Sequence, residues 1–281
     1  MTSLRPILAS AWMGIQHDIA WTTPVLSVAL RVVAPFASAM TVSIIYWFGT
    51  TSASPGLFNA DRLAYVLIGS TLYAHVASYA WVPTVAIAEG KNLSVFPHIY
   101  ITSRSTAFYV AGTVLSSFVI STIASVAALI LAYLALSSFL GTQIPATVTL
   151  TSVAMVAAAL VANIPGALGL GFLLGAYSMY ASKFEWSLPG YVAGLLMVFS
   201  GALFPTSFLP WPISVGAQYL PFTQFIAAAR EALLPGTSGD YATSMGLCLV
   251  GGGILLGVSM FVYFASERKA RKDGVIDRRL A

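Results

Sequence analysis

From residue 106 to residue 182 the chain carries no Asp, Glu, Lys or Arg. A soluble fold covers its surface with charge at about one residue in four, so a stretch this long without any cannot lie in water. It is long enough for two membrane-crossing helices, each of which needs about 20 apolar residues. The residues Gly141-Thr142-Gln143-Ile144-Pro145 supply the turn between them. The whole chain agrees: 58% of its residues are apolar and 8% charged, and mean hydropathy is +0.86. An all-α integral membrane fold is expected.

The two uncharged spans are placed at residues 106–140 and 146–180, long enough to need tilting or kinking. Asn163-Ile164-Pro165-Gly166 supplies a kink in the second, and Gly171 and Gly175 the small-xxx-small spacing of close helix packing. Gly253 and Gly257 repeat that spacing further on. Other apolar runs place spans at 25–48, 63–86, 189–203 and 241–264, six in all. Residues 3–21 space Leu4, Ile7, Leu8, Ala11, Trp12, Ile15 and Ile19 by threes and fours, the pattern of an interfacial amphipathic helix. These residues are spaced rather than continuous and precede no small-residue cleavage site, unlike a cleavable signal peptide.

Orientation follows from Lys and Arg. Arg5, Lys91, Arg104, Lys183 and a basic tail at 265–281 (Arg268, Lys269, Arg271, Lys272, Arg278 and Arg279) fall on one side, against Arg62 and Arg230 on the other. Both termini are therefore expected in the cytoplasm. Arg31, near the start of the first span, is close enough to the same face to snorkel. The tail reports topology rather than nucleic-acid binding.

Residues 201–236 lie between the last two spans yet are neither span nor polar loop. Pro205, Pro210, Pro212, Pro221 and Pro235 break any long helix. Two short helical pieces dipping into the outer face are expected over 204–236, a re-entrant extracellular hairpin with Arg230 and Glu231 as its adjacent charges. Broken backbone at membrane depth is tolerated only where protein or a watery cavity surrounds it.

Several chemistries are excluded by what the spans contain. His17, His75 and His98 are scattered and give no zinc-ligand spacing, so neither a metal site nor a catalytic group is expected. No acidic residue falls near the middle of a span, where ion-coupled carriers keep theirs. There is no GxxxxGK[ST] phosphate loop, so the chain is not expected to bind and hydrolyse ATP alone, and energy for any transport would come from another subunit. The lone cysteine, Cys248, sits in an apolar run and reads as a buried, inert thiol.

The order of elements resembles the type-2 ATP-binding-cassette exporter permeases. The motif-level likeness rests on Ser200-Gly201-Ala202-Leu203-Phe204-Pro205, Leu209-Pro210, Pro221-Phe222 and Ala229-Arg230-Glu231-Ala232-Leu233-Leu234. Glu89-Gly90-Lys91-Asn92, followed by Pro97, is similar to the family's cytoplasmic coupling segment, here 88–105. The resemblance implies a cell-membrane permease subunit, paired as a homodimer and bound to two copies of an ATPase subunit, exporting an amphipathic or hydrophobic compound such as a drug-like molecule or a lipid. It implies ATPase contacts at Glu89, Gly90, Lys91, Asn92, Pro97 and Arg104. Tyr73, His75, Tyr79, Phe199 and Phe204 would line the substrate path, and Pro205, Pro210, Pro221, Arg230 and Glu231 would form an extracellular gate. Two alternatives stay open: export of a lipid-linked polysaccharide, for which the 13 tyrosines and 6 tryptophans would be stacking platforms, and an intramembrane enzyme or assembly factor.

Overall fold

The computed structural model describes residues 4–20, 23–53, 56–92, 98–99, 105–141, 144–180, 187–234, 236 and 239–274. Every regular element among them is helical. In chain order these are α1 (Leu4–Ala20), α2 (Pro24–Ala53), α3 (Ala60–Asn92), α4 (Ala107–Leu140), α5 (Leu150–Tyr180), α6 (Leu188–Phe199), a 3-10 turn (Thr206–Phe208), α7 (Ile213–Gln218), α8 (Pro221–Leu233) and α9 (Tyr241–Asp273). Five of them (α2, α3, α4, α5 and α9) are long and apolar enough to cross a membrane.

The long helices run past the expected spans because their ends are capped by polar groups rather than stopped by the first charge. The Asn59 side chain accepts from the Asp61 and Arg62 amides at 2.7 and 3.2 Å, so α3 starts there. Asp240 accepts from the Ala242 amide to start α9. Gly141 and Gly274 adopt the left-handed conformation that ends α4 and α9. Near the end of α2, Thr50 and Thr51 return their hydroxyls to the preceding turn, which keeps them satisfied in an apolar helix. The basic residues Arg268 to Lys272, expected in a tail, are therefore the last turns of α9, where cations complement the helix dipole. Arg278 and Arg279 lie outside the described residues.

The fifth expected span departs most. Residues 189–203 were to cross as one helix, but α6 has 12 residues, about 18 Å against a hydrocarbon core of about 30 Å. Gly201, at φ +66°, turns the chain immediately after it. The path continues through the 3-10 turn, α7 and α8, and Pro221 opens α8 at a position where its missing N–H costs nothing. α8 is not a surface helix: Phe222, Phe225, Ile226, Ala228, Ala229 and Arg230 are all buried.

Glycine sets the closest helix contacts. At Gly112 on α4, an added Cβ would meet the Ile7 carbonyl and the Ala11 amide of α1 at 2.7 and 2.8 Å. Hence α1 presents its small residues to α4 and leaves Leu8 and Trp12 exposed. Gly171 and Gly175 pack as their spacing suggested, against Val114 and Tyr263. Gly253 and Gly257 instead face open space, whereas a Cβ added at the neighbouring Gly252 would meet the Gly166 amide of α5 at 3.0 Å. The seam between α5 and α9 thus runs one residue away from the expected pair.

Candidate functional site

Arg230 is one of the most heavily committed charges among the described residues. It projects from α8 toward α3, only 5% exposed. Nη1 donates to the Gly201 carbonyl at 2.8 Å, Nη2 to the Ala202 carbonyl at 2.6 Å and Nε to the Tyr65 carbonyl at 3.2 Å. Its Cζ stacks 3.4 Å from the centroid of the Tyr65 ring, a cation–π contact strengthened by desolvation. Burial pushes its pKa down to about 10, so it stays charged at neutral pH. The turn at Gly201 aims two consecutive carbonyls at the guanidinium, and Gly69 leaves the space, since a Cβ there would overlap both Ala202 and Arg230. The broken segment is thereby fastened to α3.

Arg230 and Glu231, expected to close the outer end together, do not act together. Successive helical residues diverge by about 100°, so Glu231 turns toward α9 and accepts from Ser244 at 3.1 Å. Partial burial raises its pKa, the Ser244 hydrogen bond opposes that, and Asp240 adds repulsion. Of the gate prolines, Pro205 and Pro210 are exposed and Pro221 is buried in the bundle.

Beside the Arg230 cradle lies a cavity of about 560 Å³. Val66 and Leu234 are its buried floor. Tyr46, Tyr65, Leu203 and Phe204 form half-buried walls, and exposed Asp61, Arg62, Pro205 and Phe208 ring the mouth. The volume falls in the usual range for small-molecule sites, about 300–1,000 Å³, and the gradient from polar rim to apolar floor suits an amphipathic guest.

The residues expected along a substrate path divide. Phe204 lines this cavity. Tyr73 is half-buried and donates to the Ala193 carbonyl at 2.8 Å, tying α3 to α6, while Phe199 is half-buried and its carbonyl accepts from Thr223. His75 and Tyr79, by contrast, are fully enclosed. They belong to a polar chain joining three helices: Ser121 Oγ lies 2.9 Å from His75 Nδ1, His75 Nε2 bonds the Tyr79 hydroxyl, and Asn163 Nδ2 approaches that hydroxyl at 3.4 Å. Phe118, Phe222 and Phe225 pack around them. Neither residue reaches a surface: rings and the polar partners from α4 and α5 enclose both. Cys248 is buried and free, as its apolar surroundings suggested.

At the opposite end, α3 runs on through Glu89, Gly90, Lys91 and Asn92, so these residues form its last turn rather than a separate segment. Lys91 is buried and donates to the Ser178 and Met179 carbonyls at 2.7 and 3.0 Å, placing a cation at the C-terminus of α5. Its ammonium is thus directed into the bundle. Pro97 and Arg104 lie outside the described residues. Nearby, Glu267 of α9 is buried and caps the start of α4: it accepts from the Thr106 amide at 2.9 Å, from the Ser105 hydroxyl at 2.7 Å and from Arg271 at 3.0 Å. Glu267 falls within the expected tail at 265–281, and its i,i+4 spacing to Arg271 is the one signal a sequence carries for this pairing. No group of three or more His, Cys, Asp or Glu residues suited to a metal occurs among the described residues.

Comparison with models of known protein families finds no match, and comparison with curated proteins finds no match either.

Proposed function

We propose that this chain is the membrane subunit of an ATP-driven exporter, which moves an amphipathic or hydrophobic compound outward while a separate ATPase supplies the energy. The observation that carries the reading is the half-length helix α6, followed by a broken segment that Arg230 fastens to α3 beside an amphipathic cavity. Broken backbone is tolerated inside a bundle where protein or a cavity surrounds it, and a segment interrupted at Gly201 and by five prolines can move in pieces rather than as one rod. The distribution of Lys and Arg supports an orientation with this end outside and the Lys91 and Glu267 clusters inside. In this reading α6 and its continuation make the sixth crossing, two copies of the chain pair in the cell membrane, and the inner end meets the ATPase with its ATP and Mg. An intramembrane enzyme would need an exposed nucleophile or base, and His75 is sealed among aromatic rings.

The test is purification of the tagged full chain from its native membrane, followed by assay in inverted vesicles. The proposal expects an ATPase subunit to co-purify and a fluorescent amphipathic dye to accumulate only when ATP is hydrolysed. A chain that retains no ATPase and gives ATP-independent dye distribution would refute it.

A further inference from the structure

The cavity beside Tyr65 has two charges at its mouth that do not neutralise each other. Asp61 and Arg62 are consecutive residues in the first turn of α3, held there by the Asn59 side chain. Consecutive positions diverge by about 100° around a helix. Both side chains are exposed and line the cavity, and no ion pair joins them to each other or to another described residue. Inward from them the lining is apolar and aromatic, ending on buried Val66 and Leu234.

An anionic guest would meet Arg62 favourably and Asp61 unfavourably, and a cationic guest the reverse. A zwitterion satisfies both. The tyrosines are poorer cation sites than the carboxylate: the Tyr65 ring already carries the Arg230 guanidinium, and the Tyr46 ring packs against Phe58. A free zwitterion would leave the apolar depth filled with water, so the guest needs a hydrocarbon part as well. We propose that this cavity binds a zwitterionic lipid-like amphiphile, its cationic group on Asp61, its anionic group on Arg62 and its apolar part against Phe204 and Leu234. That such a guest is the cargo rests on the exporter reading; the binding itself does not.

Binding is therefore measured on the purified full chain in nonionic detergent with no ATPase present, so its failure and the failure of export are separate results. The probes are dihexanoyl phosphatidylethanolamine, dihexanoyl phosphatidylglycerol and chain-free phosphoethanolamine, followed by thermophoresis. The expected result is tightest binding of the phosphatidylethanolamine, with each of the other two weaker by roughly tenfold, the worth of one charge-assisted contact or a few buried methylenes. Asp61→Asn should abolish the preference over phosphatidylglycerol, and Arg62→Gln should weaken both lipids. Both positions are exposed, so an unchanged thermal midpoint certifies each variant as folded. Equal binding of the two lipids, equal binding of chain-free phosphoethanolamine, or indifference to both substitutions would overturn the proposal.

Discussion

Replacing Arg230 by Met removes the fastening of the broken segment while keeping a long apolar stem in its place. Hydrogen bonds from a charged donor contribute about 1.5–3 kcal/mol each, and the two short ones, to Gly201 and Ala202, dominate. The three acceptors do not suffer equally. The Gly201 carbonyl keeps the Tyr65 hydroxyl at 3.3 Å, and the Tyr65 carbonyl lies within the α3 helix, so the Ala202 carbonyl is the one stranded. Against this, Met need not bring a guanidinium out of water, which offsets several kcal/mol. The balance is a loss of about 3 kcal/mol, at the upper end of the cost of one stranded buried carbonyl, about 1–3 kcal/mol. At about 2 °C per kcal/mol for a chain of this size, the midpoint should fall by about 6 °C. The assay is thermal unfolding of the detergent-solubilised chain followed by circular dichroism. Arg230→Lys should recover only part of the loss, because an ammonium lacks the planar guanidinium that reaches three carbonyls while stacking on the Tyr65 ring, and Tyr65→Leu should cost about 2 kcal/mol through the ring contact and the hydroxyl bond to Gly201 together. An Arg230→Met midpoint within about 1 °C of the parent, or a Lys variant equal to the parent, would refute the reasoning.

Two further outcomes follow from other contacts. Gly112→Val should push α1 off α4, since the backbone of Ile7 and Ala11 occupies the space; limited proteolysis should then release the first helix, whereas Gly253→Val, facing open space, should leave it resistant. Glu231 has a raised pKa, so the folded state binds its proton more tightly than the unfolded chain does. Its contribution is full below the ordinary glutamate value of about 4.3 and declines as pH rises through the raised one; Glu231→Gln should flatten that part of the curve of unfolding midpoint against pH.

Much of this architecture is legible in the residues. Absence of charge over 106–182 dictates two membrane-length helices, and five prolines foretell a broken segment where α6 stops short. Arg230 stands out in that segment, but its partners do not, because backbone carbonyls have no signature in a sequence and Glu231 beside it is a misleading neighbour. The same limit hides the role of Lys91, whose acceptors are the last carbonyls of another helix. Near His75, Tyr79 could be anticipated at i+4, whereas Ser121 and Asn163 arrive from α4 and α5 through tertiary packing. Small-xxx-small spacing identifies a helix that packs closely and not which glycine touches, so Gly252 was hidden behind Gly253.

The two fastenings share one helix. Tyr65 meets Arg230 near the start of α3 and Lys91 grips α5 at its end, and the 33 residues of the helix put its ends about 50 Å apart. Between them stands Pro83, which has no N–H to return to the Tyr79 carbonyl four residues back. Pro83 is therefore the point where α3 resists bending least, between a long arm that ends at the cavity and a short arm that ends at α5. Bending there would move the turn that carries Tyr79, whose hydroxyl is bonded to His75 and approached by Asn163 at that level.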